Sequence, residues 1–133
     1  MAQRLDIAER LQRRMLEIVG TGLPLLTRSL SDADLDGLAF LRGEMIDTIE
    51  AYCSHVHQLG GDDGQRLIEG CADVRAAYES FRVRWERRHV PENWHEYRLS
   101  AVVMMKQVRG YCQTNQNLVR SLFSRLPQTR LSL

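Results

Sequence analysis

The sequence predicts an all-α chain folded as an antiparallel up-and-down four-helix bundle with a long C-terminal helix. Two observations carry this. Apolar residues recur at steps of three and four in four separate stretches, and the stretches are joined by short turns marked by glycine, proline or capping residues. Such elements bury their apolar faces by packing antiparallel to their chain neighbours. At 133 residues the chain reads as one domain, 1–133. That length suffices to bury about two-thirds of the unfolded surface without a metal or a disulfide.

Helix 1 is predicted over about 2–19, with Leu5, Ala8, Leu11, Met15 and Ile18 on one face and Arg10, Arg13, Arg14 and Glu17 between them. Gly20-Thr21-Gly22 and Pro24 are expected to kink or end it. Ser31 with Asp34 resembles a capping box, so helix 2 is placed over about 32–59, with Leu38, Leu41, Met45, Ile49, Tyr52, Val56 and Leu59 buried. Gly60-Gly61 stops it, and Asp62 with Gln65 repeats the capping signature for helix 3 at about 63–89. Leu67, Cys71, Val74, Tyr78, Phe81 and Trp85 form its stripe. Val90-Pro91 predicts an extended residue followed by a preset first turn, opening helix 4 at about 91–126 and leaving 127–133 as a tail. Its stripe reads Trp94, Tyr97, Ala101, Met105, Val108, Cys112, Asn115, Val119, Leu122, Leu126. At about 52 Å, against about 40 Å for helix 3, helix 4 is expected to overhang unless helix 1 or a partner covers its end.

Composition narrows the function classes. The chain is 44% hydrophobic and 26% charged, ordinary for a soluble protein, and no apolar run approaches the roughly 20 residues that span a bilayer. The charged N-terminus is unlike an export signal, so a cytoplasmic location and no membrane are expected. Cys53, Cys71 and Cys112 are odd in number and far apart, which predicts reduced thiols. Charge is segregated: from Tyr97 to Leu133 there is no acid and a formal charge of +6, while residues 31–79 hold eleven acids against three arginines.

Three candidate sites follow. Converting sequence to height puts Cys53, Cys71 and Cys112 in one layer near the Gly60-Gly61 turn, with His57 one turn from Cys53. Thiolate and imidazole there suit a zinc-like ion or a small ligand, while the alternative is a packed layer in which Gly70 and Gly110 let helices 3 and 4 approach. The second candidate is a self-association surface formed by Asn115, Leu118, Val119, Leu122, Phe123 and Leu126, with Asn115 needing a partner inside the bundle or across an interface. The third is a basic surface of Arg109, Arg120 and Arg125. The pairs Glu86–His89 and Glu92–His95 lie at helix ends rather than mid-helix, so they do not predict a metal centre. Arg82, Arg84, Arg87 and Arg88 around Trp85 are interleaved with acids and read as a salt-bridged helix end. No phosphate loop and no set of nucleophile, base and orienting group is present. No cofactor is expected, beyond the metal alternative.

The function expected is a non-enzymatic interaction or regulatory protein that self-associates, as a homodimer, with acidic helices 2 and 3 and basic helix 4 steering the contact. The alternatives are a small-ligand or metal-binding bundle at the cysteine layer, and nucleic-acid binding along helix 4.

Overall fold

A computed structural model describes residues 2–59 and 61–124 of the chain, with side chains for 6–59, 61–62 and 64–120. Four α-helices, α1 (Ala2–Leu25), α2 (Leu35–Val56), α3 (Gly61–Arg87) and α4 (Trp94–Ser124), form a four-cornered bundle. Each helix packs on its two neighbours around the ring, α1 on α2 and α4, and α3 on α2 and α4. Paired heights run in opposite directions along every seam, as in Gln12 with Tyr52 and Arg14 with Glu44, Glu50 with Arg75 and Cys53 with Cys71, Gly70 with Tyr111 and Trp85 with Ser100, and Gly22 with Met105 and Leu26 with Arg98, so the topology is up-down-up-down.

The apolar stripes enter the core as their spacing requires. Leu38, Leu41, Met45, Ile49, Tyr52 and Val56 of α2 are buried, as are Leu67, Cys71, Val74, Tyr78, Phe81 and Trp85 of α3. Two polar residues, Gln12 and Thr48, are buried among them.

The boundaries needed correction where packing overrides local signals. α1 does not stop at 19 but runs through Gly20-Thr21-Gly22 to Leu25 with Pro24 inside it. Pro24 falls in the last turn, where its missing N–H would have met the carbonyl of solvent-exposed Gly20, so the loss is small. Gly22 is buried against Met105 and Leu41, in a tight contact where a Cβ would come 3.0 Å from the Met105 methyl. The N-cap of α2 is Asp34, whose side chain accepts from the Gly37 N–H at 2.9 Å, while Ser31 belongs to a preceding 3-10 turn, Leu30–Asp32. α3 begins at Gly61, in the left-handed region at φ 79°, so Asp62 lies in the first turn rather than at the cap. Val90 is helical, not extended, at φ −60° and ψ −48°. A 3-10 turn at Pro91–Asn93 holds it, with the Asn93 N–H donating to the Val90 carbonyl and the Asn93 amide to the His89 carbonyl.

The longer α1 covers the expected overhang as far as Val119, and the rest of it lies outside the described side chains. The Trp94 indole donates to the Arg28 carbonyl and Arg98 to the Leu26 carbonyl, fixing the register of α1 against α4. Counting back along both helices sets Ala8 near the height of Val119, and both are fully buried.

The two glycines expected to let α3 and α4 approach behave differently. A Cβ at Gly70 would lie 2.6 Å from Cε2 of Tyr111, whereas one at Gly110 would meet nothing within 4 Å. Gly70→Ala is therefore expected to cost about 1–3 kcal/mol as the Tyr111 ring is displaced. Gly110→Ala should stabilise by about 0.5–1 kcal/mol through helix propensity. Urea unfolding of the two variants measures both, and equal effects would contradict the close approach at Gly70.

Candidate functional site

The seam between α2 and α3 carries a concavity at the predicted layer. Cys53 and Cys71 face each other across it with a Cα–Cα distance of 5.9 Å, and their sulfurs are joined in a disulfide. The expectation of reduced thiols is thus corrected for two of the three cysteines. Their phases put both on facing helix stripes at one height, which is the geometry a disulfide needs and which sequence separation does not reveal.

On the solvent side of the disulfide lies a groove of about 500 Å³, lined by Glu50, Cys53, His57, Ile68, Cys71, Ala72, Arg75, Ala76 and Glu79. Its hollow comes from Ala72 and Ala76, exposed residues one turn apart on α3 whose short side chains leave the seam unfilled. Arg75 spans the seam, its Nε donating to Glu50 at 2.7 Å. The Glu79 carboxyl is held below its usual range by the hydrogen bond from Arg82. The groove therefore has an apolar floor with a disulfide in it and charged rims.

Behind the disulfide is a buried polar chain. The Gln12 amide donates to the Tyr52 hydroxyl at 2.8 Å, Tyr52 shares a 3.4 Å hydrogen bond with the Tyr111 hydroxyl, and Tyr111 donates to the Leu67 carbonyl at 3.1 Å. Burial pushes the Tyr52 hydroxyl up to about 12, partly opposed by its hydrogen bonds to Tyr111 and Gln12. Burial, then the neighbouring Tyr52, raises Tyr111 as well. Cys112, the free cysteine, is fully buried, and desolvation pushes its thiol up to about 12.

Of the four predicted site residues, Cys53, His57 and Cys71 come together on the groove and Cys112 does not line it. With two sulfurs bonded to each other the thiolates are lost as ligands. Among the described residues no group of three or more His, Cys, Asp or Glu is gathered as a metal would require. The ligand alternative thus keeps its place in the fold, whereas the metal alternative has no ligand set there.

The predicted association surface is also changed. Val119 is fully buried within the chain, and Leu118 is partly buried against the core. The half-buried Asn115 donates to the Tyr111 carbonyl one turn back at 2.8 Å, so its partner is its own helix. Leu122 and Phe123 lie on α4, but their side chains, and all of Leu126 and Arg125, fall outside what is described. Arg120 is exposed and Arg109 half-buried. Three of the four arginines near Trp85 are salt-bridged as expected: Arg84 and Arg88 meet Glu96, and Arg82 meets Glu79 and Glu86. His89 and Glu92 stand exposed and 4.0 Å apart.

Sequence reasoning missed Gln12, Tyr111 and Arg42. Gln12 continues the spacing Ala8, Gln12, Met15, Val19, a signal hidden by the choice of Leu11. Tyr111 sits beside the stripe and is admitted by Gly70. Arg42 donates to the Tyr97 hydroxyl at 2.7 Å with its guanidinium 5.4 Å from that ring, a contact across the bundle that no local pattern marks.

Two buried tyrosines should answer differently to loss of the hydroxyl. Tyr52→Phe leaves the Gln12 amide unpaired and is expected to cost about 1–3 kcal/mol. The buried Tyr78 hydroxyl has no hydrogen-bond partner among the described residues, so Tyr78→Phe should be neutral or stabilise by up to about 1 kcal/mol. The pH dependence has a definite sign. Between pH 10 and about 12 the unfolded chain gives up the Tyr52 proton while the folded chain keeps it. The stabilisation is full below pH 10 and is lost as pH rises through that window. Urea midpoints should fall there, less steeply in Tyr52→Phe, and a flat profile would contradict the burial.

Comparison with models of protein families, with curated proteins and with solved structures finds no match to this chain.

Proposed function

We propose that the chain is a non-enzymatic interaction protein that associates with further copies of itself by docking the exposed stripe of α4 on the exposed stripe of α2. The observation that carries this reading is the exposure of large apolar side chains at matched helical spacing. Leu99 and Val103 of α4 are 59% and 65% exposed, and Phe40 of α2 is 63% exposed. On α4 the stripe continues through Lys106 and Gly110; on α2 it runs Asp36, Phe40, Gly43, Asp47, all exposed.

Each stripe thus combines a large apolar group, an exposed glycine and charge of one sign, and the two signs are opposite. Apolar burial would supply affinity and the charges would set register and steer encounter. α2 and α4 occupy opposite corners of the bundle, so the pairing is between unlike surfaces: a dimer is its first step, and further copies add head to tail. This replaces the buried Val119 region as the contact. No helix of the described residues is long and apolar enough to cross a membrane. The cytoplasm is the compartment we propose, where a disulfide such as Cys53–Cys71 would be a reversible one.

The groove over the disulfide favours a second reading, a small-ligand site, because its volume falls in the range of about 300–1,000 Å³ usual for such sites.

Sedimentation velocity at micromolar concentration is expected to show association that weakens as salt is raised. Lys106→Glu or Asp47→Lys alone should weaken it about tenfold, and the double variant, which restores opposite signs between copies, should recover most of the loss. A monomer indifferent to salt removes the reading. Salt-dependent binding of RNA or DNA without self-association would favour the nucleic-acid alternative instead.

A further inference from the structure

The geometry points to the Cys53–Cys71 disulfide as a thiol–disulfide exchange site for a low-molecular-weight thiol held in the α2–α3 groove. The inference rests on the second reading above, that this groove takes a small ligand. Both sulfur-bearing residues are buried at the edge of the core and line the groove. Cys53, at 5% exposure against 2% for Cys71, is the sulfur we assign as the point of attack from the groove. His57, exposed and one turn along α2 from Cys53, stands in the same wall. Arg75 is anchored by Glu50 at 2.7 Å and brings a guanidinium to the rim. The rim sets Arg75 against Glu50 and Glu79, so it adds no net positive charge, and a small thiol in the groove lies beside the His57 wall. Cys112, fully buried and absent from the groove lining, does not compete.

The exchange balances as follows. The thiolate RS⁻ attacks the Cys53 sulfur, the Cys53–Cys71 bond breaks, and Cys71 leaves as a thiolate that takes a proton from solvent. A second RS⁻ attacks the sulfur of the bound R group, giving RSSR and releasing Cys53 as a thiolate. Two thiols are oxidised to one disulfide and the protein disulfide is reduced to two thiols. The cut removes the covalent link between α2 and α3.

The test uses the full chain, reduced glutathione as the probe, and intact mass after alkylation. In the folded protein two cysteines should become alkylatable through an intermediate carrying one glutathione, with Cys112 protected. In Cys71→Ser the adduct from oxidised glutathione should form on Cys53 on the order of tenfold faster than on Cys71 in Cys53→Ser. His57→Ala should slow it. A disulfide that glutathione reduces only in denaturant overturns the proposal, and because this arm uses the natural sequence it holds even where a variant does not fold. S-methyl glutathione, which binds but cannot exchange, separates the two claims by NMR of the Ala72 and Ala76 methyls. Shifts there with an inert disulfide overturn the exchange site alone, and no shifts with an inert disulfide overturn the ligand reading too.

Discussion

The Tyr52 hydroxyl is the point on which the bundle's register depends. Gln12 reaches it from α1, Tyr111 from α4, and Tyr111 passes the chain on to the Leu67 carbonyl of α3. All four helices are therefore joined in one layer by polar groups. Apolar stripes repeat every turn and tolerate sliding by a turn with little loss, but the Gln12 N–H and the Tyr52 and Tyr111 hydroxyls find these partners in one arrangement only, the Gln12 Oε1 having none among the described residues. Gly70 is part of that arrangement, since the Tyr111 ring occupies the place of its side chain and meets Tyr52 edge-on at 6.0 Å. Once this layer is set, the residues next to Tyr52 and Gly70, Cys53 and Cys71, are brought to the 5.9 Å separation at which a disulfide forms.

The opposite end of the bundle is closed by a different chemistry. Trp85, Trp94 and Phe81 surround Tyr97 with ring centroids 5.1 to 5.9 Å away, and Arg42 lies over the same ring. The Trp94 indole and Arg98 tie this cluster to the end of α1 through the Arg28 and Leu26 carbonyls. Large rings fill space, and polar edges of those rings find partners, so this end offers little room. Small residues do the reverse at the other end. Ala72 and Ala76 leave the α2–α3 seam hollow, which is why the open groove sits over the disulfide rather than over the aromatic cluster.

The parts of this that the sequence made legible are those governed by helical period. Stripes on α2, α3 and the described part of α4 entered the core at the expected spacing, and counting rise per residue put Cys53 and Cys71 at nearly one height. What stayed illegible depends on long-range partners. Pro24 and Gly22 read as breakers because local rules price an isolated helix, whereas Met105 and Leu41 pack against Gly22 and carry α1 through. Val90 reads as extended before Pro91, yet Asn93 and its bonds to the Val90 and His89 carbonyls hold it helical. Gln12 reads as surface because no pattern on α1 shows that a tyrosine hydroxyl waits for it on α2. The disulfide was missed for the same reason: whether two cysteines at equal height also face each other is a matter of helix phase across a seam.

The charge asymmetry now has a geometric consequence that composition alone did not. Within the chain, ion pairs form within single helices, as in Arg10 with Asp6, along seams between adjacent helices, as in Arg14 with Glu44 and Arg75 with Glu50, or beside a helix joint, as in Arg88 with Glu96. None of the described ion pairs includes Lys106, Arg109 or Arg120. Their helix is acid-free beyond Glu96, and the acidic stripe of α2 lies at the opposite corner, across the width of the core. At that distance the two fields are screened from one another by more than a Debye length of about 8 Å at physiological salt. Opposite charges so arranged cannot neutralise inside one bundle; they give the molecule two unlike sides. Unlike sides of this kind are what the proposed head-to-tail association would use, and it is on those same two sides that Leu99, Val103 and Phe40 stand exposed.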